Sequence, residues 1–301
     1  MRLSVLDLDG SLTWQAPVRR RVAEGRAEIL DFRDLGRALR LWAWERDFDR
    51  FARRLPAASG EGPRVFMVGS GDYHHLTAAI LETVRVPVTV VHFDNHPDWA
   101  WTFPRRHCGS WVNEALGMPR VARVVTLGCC SEDLTRPDRA GINLLALRTK
   151  RLVMLPWQTP PTPLGKRAGP VPGHAVADDR LHWTTLAGAT APEIMARLAP
   201  EIETDAVWIT LDKDVLGQGE AATNWDQGGM PLDTVEAVIG DLASRHRIHG
   251  VDICGDFSAA RHRNPMKWTE ALLDQPRQPP ASLAVNESTN ERLLSLLERV
   301  L

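Results

Sequence analysis

The sequence contains almost no tyrosine, since its aromatic residues are 7 Phe, 11 Trp and 1 Tyr. Cysteine is also scarce, and the 4 cysteines form no Cys-X-X-Cys pair. This spacing argues against a disulfide framework and favours a reducing, cytoplasmic compartment. Neither sign of charge dominates, because 36 Lys and Arg stand against 38 Asp and Glu. That balance argues against a nucleic-acid-binding protein.

Long apolar runs are missing as well. No stretch approaches the ~20 consecutive apolar residues that cross a membrane. The first residues reach Asp7 without a long apolar segment, so no signal peptide is expected. Repeats and low-complexity segments are also lacking, and we expect residues 1–301 to form one domain.

The sequence does contain short β-branched runs that alternate with amphipathic stretches, a pattern typical of βαβ units and a parallel sheet. The predicted strands are residues 3–6, 65–68, 88–93, 121–127, 152–155, 207–211 and 248–253. The predicted helices are residues 35–54, 74–84, 110–116, 191–198, 232–245 and 289–300. Two Pro- and Gly-rich stretches, 156–173 and 217–229, predict long loops of the kind that surround a site. The fold class predicted is therefore α/β.

Metal-binding residue types follow three of these strands. The strand at 88–93 is followed by an Asp-X-His-X-Asp motif, and the strand at 207–211 by Asp-X-Asp. The strand at 65–68 is followed by a Gly-rich turn that contains two histidines. Ligands of parallel sheets bind at the carboxyl ends of the strands, so these motifs are expected to meet at one edge. The residues concerned are His74, His75, Asp94, His96, Asp98, Asp212 and Asp214.

So many carboxylates in one place would repel each other unless cations neutralise them. Mixed oxygen and imidazole ligands suit divalent Mn, Fe, Co or Zn better than Ca. Two such ions that share carboxylates can generate a hydroxide near neutral pH. The sequence therefore predicts a metal site and favours two ions.

These motifs, in this order, resemble those of the arginase/agmatinase (ureohydrolase) superfamily over roughly residues 65–257. The resemblance implies a three-layer α/β/α sandwich of the arginase–deacetylase type with a mainly parallel sheet. It implies one ion held by His74, Asp94, Asp98 and Asp212, and a second held by Asp94, His96, Asp212 and Asp214. Because the Gly-rich turn has one residue more than the family pattern, His75 remains an alternative to His74.

The resemblance also implies an activity: a metal-dependent hydrolase, with Mn²⁺ as the expected metal, that cleaves a C–N bond of a guanidino group and releases urea. Asp98 would orient the attacking hydroxide, and His107 would move a proton towards the leaving amine. The expected partner is a guanidino substrate, with neither nucleic acid nor a membrane involved.

The substrate-binding motifs depart from the family pattern. Gly255 stands where the family has the Glu that binds the guanidinium, so Asp256, Asp226 or Glu220 is expected to replace it. Residues 223–230 resemble divergent members such as peptide arginases, which convert peptidyl arginine to ornithine. Several of the tryptophans also follow predicted site residues, and three of these, Trp99, Trp101 and Trp225, are expected at the mouth of the site. Together these features favour a substrate larger than free arginine.

Three other interpretations compete. Asp7 and Asp9 imitate the nucleophile motif of haloacid-dehalogenase-type phosphatases, although the remaining motifs of that class are not found. A single-metal amidohydrolase of the deacetylase type would share the fold, and the tandem histidines at 74 and 75 are similar to its motif. A protein that uses the metals only for structure is the third.

Overall fold

The central element of the chain is a parallel β-sheet. The structure is a computed structural model, and it describes residues 1–56, 62–136, 141–260, 262–276 and 283–301. In spatial order the eight strands of the sheet are β2 (Ala27–Asp31), β1 (Arg2–Asp7), β4 (Arg64–Met67), β13 (Arg247–Cys254), β12 (Ala206–Asp212), β5 (Val88–Phe93), β7 (Val121–Leu127) and β8 (Leu152–Leu155). All neighbouring pairs are parallel. Because every carboxyl end points the same way, loops that follow different strands meet at one edge.

Helices cover both faces of the sheet. In chain order they are α1 (Ala16–Ala23), α2 (Arg33–Leu39), α3 (Glu45–Ala52), α4 (Leu76–Glu82), α5 (Trp111–Gly117), α6 (Leu144–Arg148), α7 (Ala191–Leu198), α8 (Leu232–Arg245), α9 (Pro265–Asp274) and α10 (Ala284–Val300). Side chains of α2–α5 form one apolar core with the sheet, and those of α7, α8 and α10 form the other. The predicted three-layer α/β/α sandwich is confirmed. Within the described ranges, no helix is both long and apolar enough to span a bilayer.

The strand predictions are confirmed at all seven positions, but the helix predicted over 35–54 is wrong. That segment forms α2 and α3 with a two-residue strand, β3 (Trp42–Ala43), between them. Strand β3 pairs antiparallel with β6 (Arg106–His107), and Leu41 adopts a left-handed conformation with φ +64°. Trp42 is therefore buried in a strand and Trp44 caps α3 from an exposed position, although both were expected on one helix.

Several elements were not predicted. Edge strand β2 and helices α1 and α9 lie in segments without a clear apolar period, and α10 begins at Ala284 rather than at residue 289. The predicted loop 156–173 contains β9 (Thr162–Pro163), which joins β10 (Ala175–Ala177) and β11 (Arg180–His182) in a small antiparallel sheet. The loop at 217–229 carries no helix or strand of its own.

Helix α1 is tied to α10 by a buried arginine. The side chain of Arg21 is almost fully buried, with Nε 2.7 Å from Glu298 Oε1 and Nη1 3.0 Å from Glu291 Oε2. Its Nη1 also donates to the carbonyl oxygen of Pro17 at 3.2 Å. Burial alone would raise the pKa of Glu291, but the bonds from Arg21 outweigh it and lower that pKa to about 2.

We expect Arg21→Met to lower the free energy of unfolding by about 2–3 kcal/mol, because the glutamates would lose their buried partner. Urea unfolding at pH 7 measures this, with exposed Arg19→Met as the matched control. Because the folded-state pKa of Glu291 lies below its ordinary value of 4.5, its contribution is present above that pH and fades as the pH falls towards 2. Equal stability of the two variants at pH 7 would contradict the prediction.

Candidate metal centre

The predicted metal ligands follow β4, β5 and β12, and they meet at the carboxyl edge that β5 and β12 share with β13. Thr210 of β12 is in register with His92 of β5 on one side and with Asp252 of β13 on the other. Two residues further along each strand come Asp94, Asp212 and Cys254. Alternate residues of a strand point to the same face, so the first three side chains and the second three lie on the same face of the sheet, in successive rows along the strands. The sheet register therefore builds a dense cluster of metal-binding side chains.

His74 faces the carboxylates of this cluster. Its Nδ1 is 3.0 Å from Asp94 Oδ2, 3.2 Å from Asp98 Oδ2 and 3.6 Å from Asp212 Oδ2. Its Nε2 is 2.9 Å from Thr210 Oγ1, and that hydroxyl donates its proton to Asp252 Oδ1 at 2.8 Å. The hydroxyl must then accept from His74, so Nε2 carries a proton and Nδ1 presents its lone pair to the carboxylates in the neutral ring. Metal-binding histidines are held by hydrogen bonds of this type.

A second group of candidate ligands adjoins the first. His96 Nδ1 is 3.0 Å from Asp214 Oδ2 and 3.5 Å from Asp94 Oδ1. Asp94 thus touches both groups, with one oxygen towards His74 and the other towards His96. Ligand atoms of Asp94, His96 and Asp214 all lie within 4.8 Å of one another, as do those of His74, His92, Asp94 and Asp98.

Electrostatics favour cations at this place. Burial, together with the charge of Asp94, raises the pKa of Asp212. Burial and the charges of Asp212 and Asp94 raise the pKa of Asp214 well above its ordinary value. Carboxylates that are buried and repel each other are stabilised by divalent ions. The donor set of imidazole nitrogens and carboxylate oxygens fits two such ions.

Asp98 is held in an unusual backbone conformation. Its φ of +47° is left-handed, which costs conformational energy in a residue with a side chain. Trp111 Nε1 donates to Asp98 Oδ2 at 2.6 Å, and the amide of Val112 donates to the Asp98 carbonyl oxygen at 3.1 Å. These bonds fix the carboxylate beside His74.

His107 is held on both sides of its ring, and Gly109 lies beside both its Nδ1 and the carboxylate of Asp98. Its Nδ1 accepts from the amide of Gly109 at 2.9 Å, and its Nε2 is 2.5 Å from Glu270 Oε1. Glu270 is in α9, and its other oxygen accepts from Trp42 Nε1 at 2.8 Å. Sequence reasoning missed Glu270, because nothing in the chain links α9 to a residue more than 160 positions earlier.

The structure separates the two histidines of the Gly-rich turn. His75 is buried, stacks on Phe48 at a ring-centroid distance of 6.3 Å, and has no hydrogen-bond partner on either ring nitrogen among the described residues. It lies outside the ligand groups, whereas His74 lies inside two of them. Between the two histidines that the sequence left open, the geometry favours His74 as the candidate ligand.

Two residues near the ligands were not proposed from the sequence. His92 Nε2 is 2.8 Å from Asp94 Oδ2, and Cys254 Sγ is 3.1 Å from Asp212 Oδ2. The signal for both was alternation, because His92 precedes Asp94 by two residues in a strand, and Cys254 is in register with Asp212.

The predicted substrate residues occupy different environments. Trp225 packs against His96 at a centroid distance of 5.9 Å and donates from Nε1 to Asp72 at 3.0 Å. Asp226 has a half-exposed side chain and bonds His96 Nε2 at 2.9 Å. Trp101 is 69% exposed.

Two of these predictions are wrong. Trp99 is fully buried in the apolar core, so it does not line an entrance. Asp256 is buried in an ion pair with Lys213 at 2.7 Å and accepts from Gln15 Nε2 at 2.9 Å, so its carboxylate is already neutralised. Lys213 lies between the two aspartates of the Asp-X-Asp motif, and its buried ammonium requires that partner.

The phosphatase interpretation requires an unpaired aspartate as nucleophile, and both candidates are paired. Asp7 is 2.6 Å from Arg33 Nε and accepts from the amide of Gly10 at 3.0 Å. Asp9 is bound by Arg40 and accepts from Ser258 Oγ at 2.6 Å. Both carboxylates are engaged in holding the end of β1, away from the metal-ligand groups.

No family model matches the chain. A protein of Thermotoga maritima, described only as uncharacterized, is 26% identical over 192 residues. The match covers 64% of this chain and 58% of that protein's length, so the chain spans less than two thirds of its curated relative.

Solved structures are similar over nearly the whole chain. Arginase from Bacillus subtilis superimposes with a TM-score of 0.59 at 12% identity, covering 100% of this chain and 97% of that one. Formimidoylglutamase from Bacillus subtilis gives 0.57 at 13% identity, with 100% and 87% covered. Proclavaminate amidino hydrolase from Streptomyces clavuligerus gives 0.55 at 15% identity, with 100% and 92% covered. The fold of the chain is thus that of the arginase/ureohydrolase superfamily, which confirms the fold that the sequence resemblance implied.

Proposed function

We propose that this protein is a binuclear metal-dependent hydrolase that cleaves a C–N bond of a guanidino group. The observation that carries the proposal is the shared position of Asp94, whose two oxygens face two adjoining ligand groups. The neighbours named arginase, formimidoylglutamase and amidino hydrolase support the reaction class. Asp98 and Asp214 support two ions rather than one, because each has a place in a different group.

The proposed ligands of one ion are His74, Asp94, Asp98 and Asp212, and those of the other are Asp94, His96, Asp212 and Asp214. When bound, two divalent ions, with Mn²⁺ as the proposed metal, supply positive charge that activates water and polarises the substrate. The chain adds a fixed orientation of His74 through Thr210 and Asp252. It also adds a fixed carboxylate at Asp98.

His107 is the proposed group that moves a proton to the leaving amine. Its ring is aligned by Glu270 and by the Gly109 amide, so its Nε2 proton has a defined position, shared with the Glu270 carboxylate. General acid catalysis of this kind contributes about 10²- to 10⁴-fold to a rate. We therefore assign His107 a direct role and Glu270 a positioning role.

A guanidinium substrate needs a carboxylate partner, and Asp256 is already paired with Lys213. Asp226 is the proposed partner, because it is half-exposed and lies on the loop beside His96. Burial alone would raise the pKa of Asp226, but hydrogen bonds from His96 and Asn95 outweigh it and lower that pKa. The carboxylate therefore stays charged near pH 7. Trp225 and the exposed Trp101 are proposed to flank a substrate larger than free arginine, such as an arginine-containing peptide.

A product assay tests this function. Protein reconstituted with Mn²⁺ is incubated with arginine, agmatine, hydroxyarginine and arginine-containing peptides, and urea is measured. We expect urea from a guanidino substrate. Urea released from the peptides alone would identify peptidyl arginine as the substrate class. Matched lysine peptides serve as the control, because they present a cation without a guanidino carbon.

The assay can also contradict the proposal. If the protein binds two ions and releases no urea from any of these compounds, guanidino hydrolysis is wrong. Ammonia release from formimino or amide compounds under the same conditions would then point to a related C–N substrate. A single bound ion per chain would favour the amidohydrolase alternative.

A further inference from the structure

A cavity of about 920 Å³ lies outside the ligand groups, between the end of β1, helix α2 and the start of α9. Its lining is rich in cations, with Arg33, Arg37, Arg40, Arg263 and Lys267, and contains two carboxylates, Asp9 and Asp47. A cavity of this size is in the usual range for small-molecule sites, about 300–1,000 Å³.

Much of this positive charge is not neutralised. Arg40 is paired with Asp9 and Asp72, and Arg33 with Asp7. Across the described ranges, by contrast, no carboxylate forms an ion pair with Arg37 or Arg263. Both guanidinium groups therefore remain available at the cavity.

The cavity wall also contains a buried cation, Lys267, that forms no ion pair with any residue in the described part of the chain. Lys267 is only 3% exposed, and its Nζ donates to the carbonyl oxygens of Trp42 at 2.6 Å and Ala38 at 2.7 Å. Those oxygens are dipoles rather than charges, and burial lowers the pKa of Lys267 to about 8 although the charges of Glu270 and Asp47 oppose this shift. An ammonium in such surroundings gains from any negative charge that enters the cavity.

One unfilled hydrogen-bonding position lies at the same place. His262 lines the cavity, and its buried Nε2 has no partner among the described residues. Aromatic rings of Trp42, Trp44 and Tyr73 form another part of the wall, with Trp42 and Trp44 5.5 Å apart in an edge arrangement. The cavity thus offers cationic groups, a free ring nitrogen and a flat apolar surface.

We propose that this cavity binds an organic anion, whose carboxylate or phosphate contacts Arg37, Arg263 and His262 while its apolar part packs on Trp42 and Trp44. The two carboxylates of the lining are already paired, Asp9 with Arg40 and Asp47 with Arg46 and Arg50, so they leave the charges of Arg37 and Arg263 unneutralised. Trp42 links the cavity to the site, because its indole nitrogen donates to Glu270, which contacts His107. The anion is either a separate molecule or the far end of a substrate.

Binding is tested with phenylphosphate as the probe, by titrating the metal-loaded protein and following tryptophan fluorescence. We expect saturable binding that weakens about tenfold or more in the double variant Arg37→Gln/Arg263→Gln, because charged hydrogen bonds to the anion are lost. Arg19→Gln removes an exposed arginine outside the cavity and should leave the affinity unchanged. Absence of binding, or equal affinity in the double variant, would overturn the proposal.

The metal-ligand variant Asp94→Asn separates this site from the metal centre. Binding of phenylphosphate that persists in Asp94→Asn supports the cavity, whereas binding lost there places the anion on the metals and overturns it. This readout needs no enzymatic activity, so it is independent of the proposed function. Once a substrate is known, competitive inhibition would identify the far end of the substrate as the natural occupant, and a changed kcat without competition would identify a separate anion.

Discussion

Asp94→Asn is expected to abolish the binding of both metal ions and to lower C–N bond hydrolysis about 1,000-fold or more. The reason is the shared position of Asp94, with Oδ2 3.0 Å from His74 Nδ1 and Oδ1 3.5 Å from His96 Nδ1. Asparagine keeps the shape but replaces a charged oxygen with an amide nitrogen, which cannot bind a cation. Loss of the charge stabilisation that metals supply, several kcal/mol, corresponds to such a factor at about 1.4 kcal/mol per tenfold.

Metal content per chain, measured by elemental analysis after dialysis against Mn²⁺, is the primary readout. Asp233→Asn, on an exposed part of α8, is the matched control and should retain both ions. Thermal unfolding of the metal-free proteins checks that Asp94→Asn still folds. Two retained ions would refute the ligand assignment, and one retained ion would contradict the expected loss of both.

Most of the cluster could be predicted because the proposed metal ligands obey a local rule. Alternate residues of a strand share a face, so the aspartates of Asp-X-His-X-Asp and Asp-X-Asp were placed correctly at the ends of β5 and β12. The same rule, applied to residues before the motif, would have added His92. The rule would also have placed Lys213 on the opposite face from Asp212 and Asp214. A buried ammonium needs a carboxylate there, and Asp256 provides it.

The surroundings of the site depend on contacts that no local pattern carries. Helix α9 leaves Met266, Trp268, Leu272 and Leu273 exposed, so its apolar residues do not mark a buried stripe. Its contribution to the site is polar, through Glu270. The break between α2 and α3 has a similar origin, because Arg40 turns inward to Asp9 and Asp72, and Trp42 pairs with His107 in a distant segment. Long-range ion pairs and strand pairing overrode a helical sequence pattern there.

Glu270→Gln is expected to lower kcat about 10- to 100-fold while both metal ions stay bound. The glutamate accepts from His107 Nε2 at one oxygen and from Trp42 Nε1 at the other. Glutamine can accept at only one of these positions, since its amide nitrogen would face a second N–H donor at the other. Even with its amide oxygen towards His107, glutamine is neutral and forms a weaker hydrogen bond than the carboxylate. The His107 ring would then be held less firmly, and small displacements of a catalytic group cost about 100-fold.

A double-mutant cycle distinguishes alignment of His107 from a purely structural role. Glu270→Gln should cost little in a His107→Asn background, because the group that it positions is already gone. Trp42→Phe removes only the indole N–H that Glu270 accepts, and its kcat should stay within about threefold of wild type if the bond to His107 is what matters. A loss in Glu270→Gln that is equally large with and without His107 would mean that Glu270 acts on the substrate itself, as a carboxylate for its cation, rather than through the histidine.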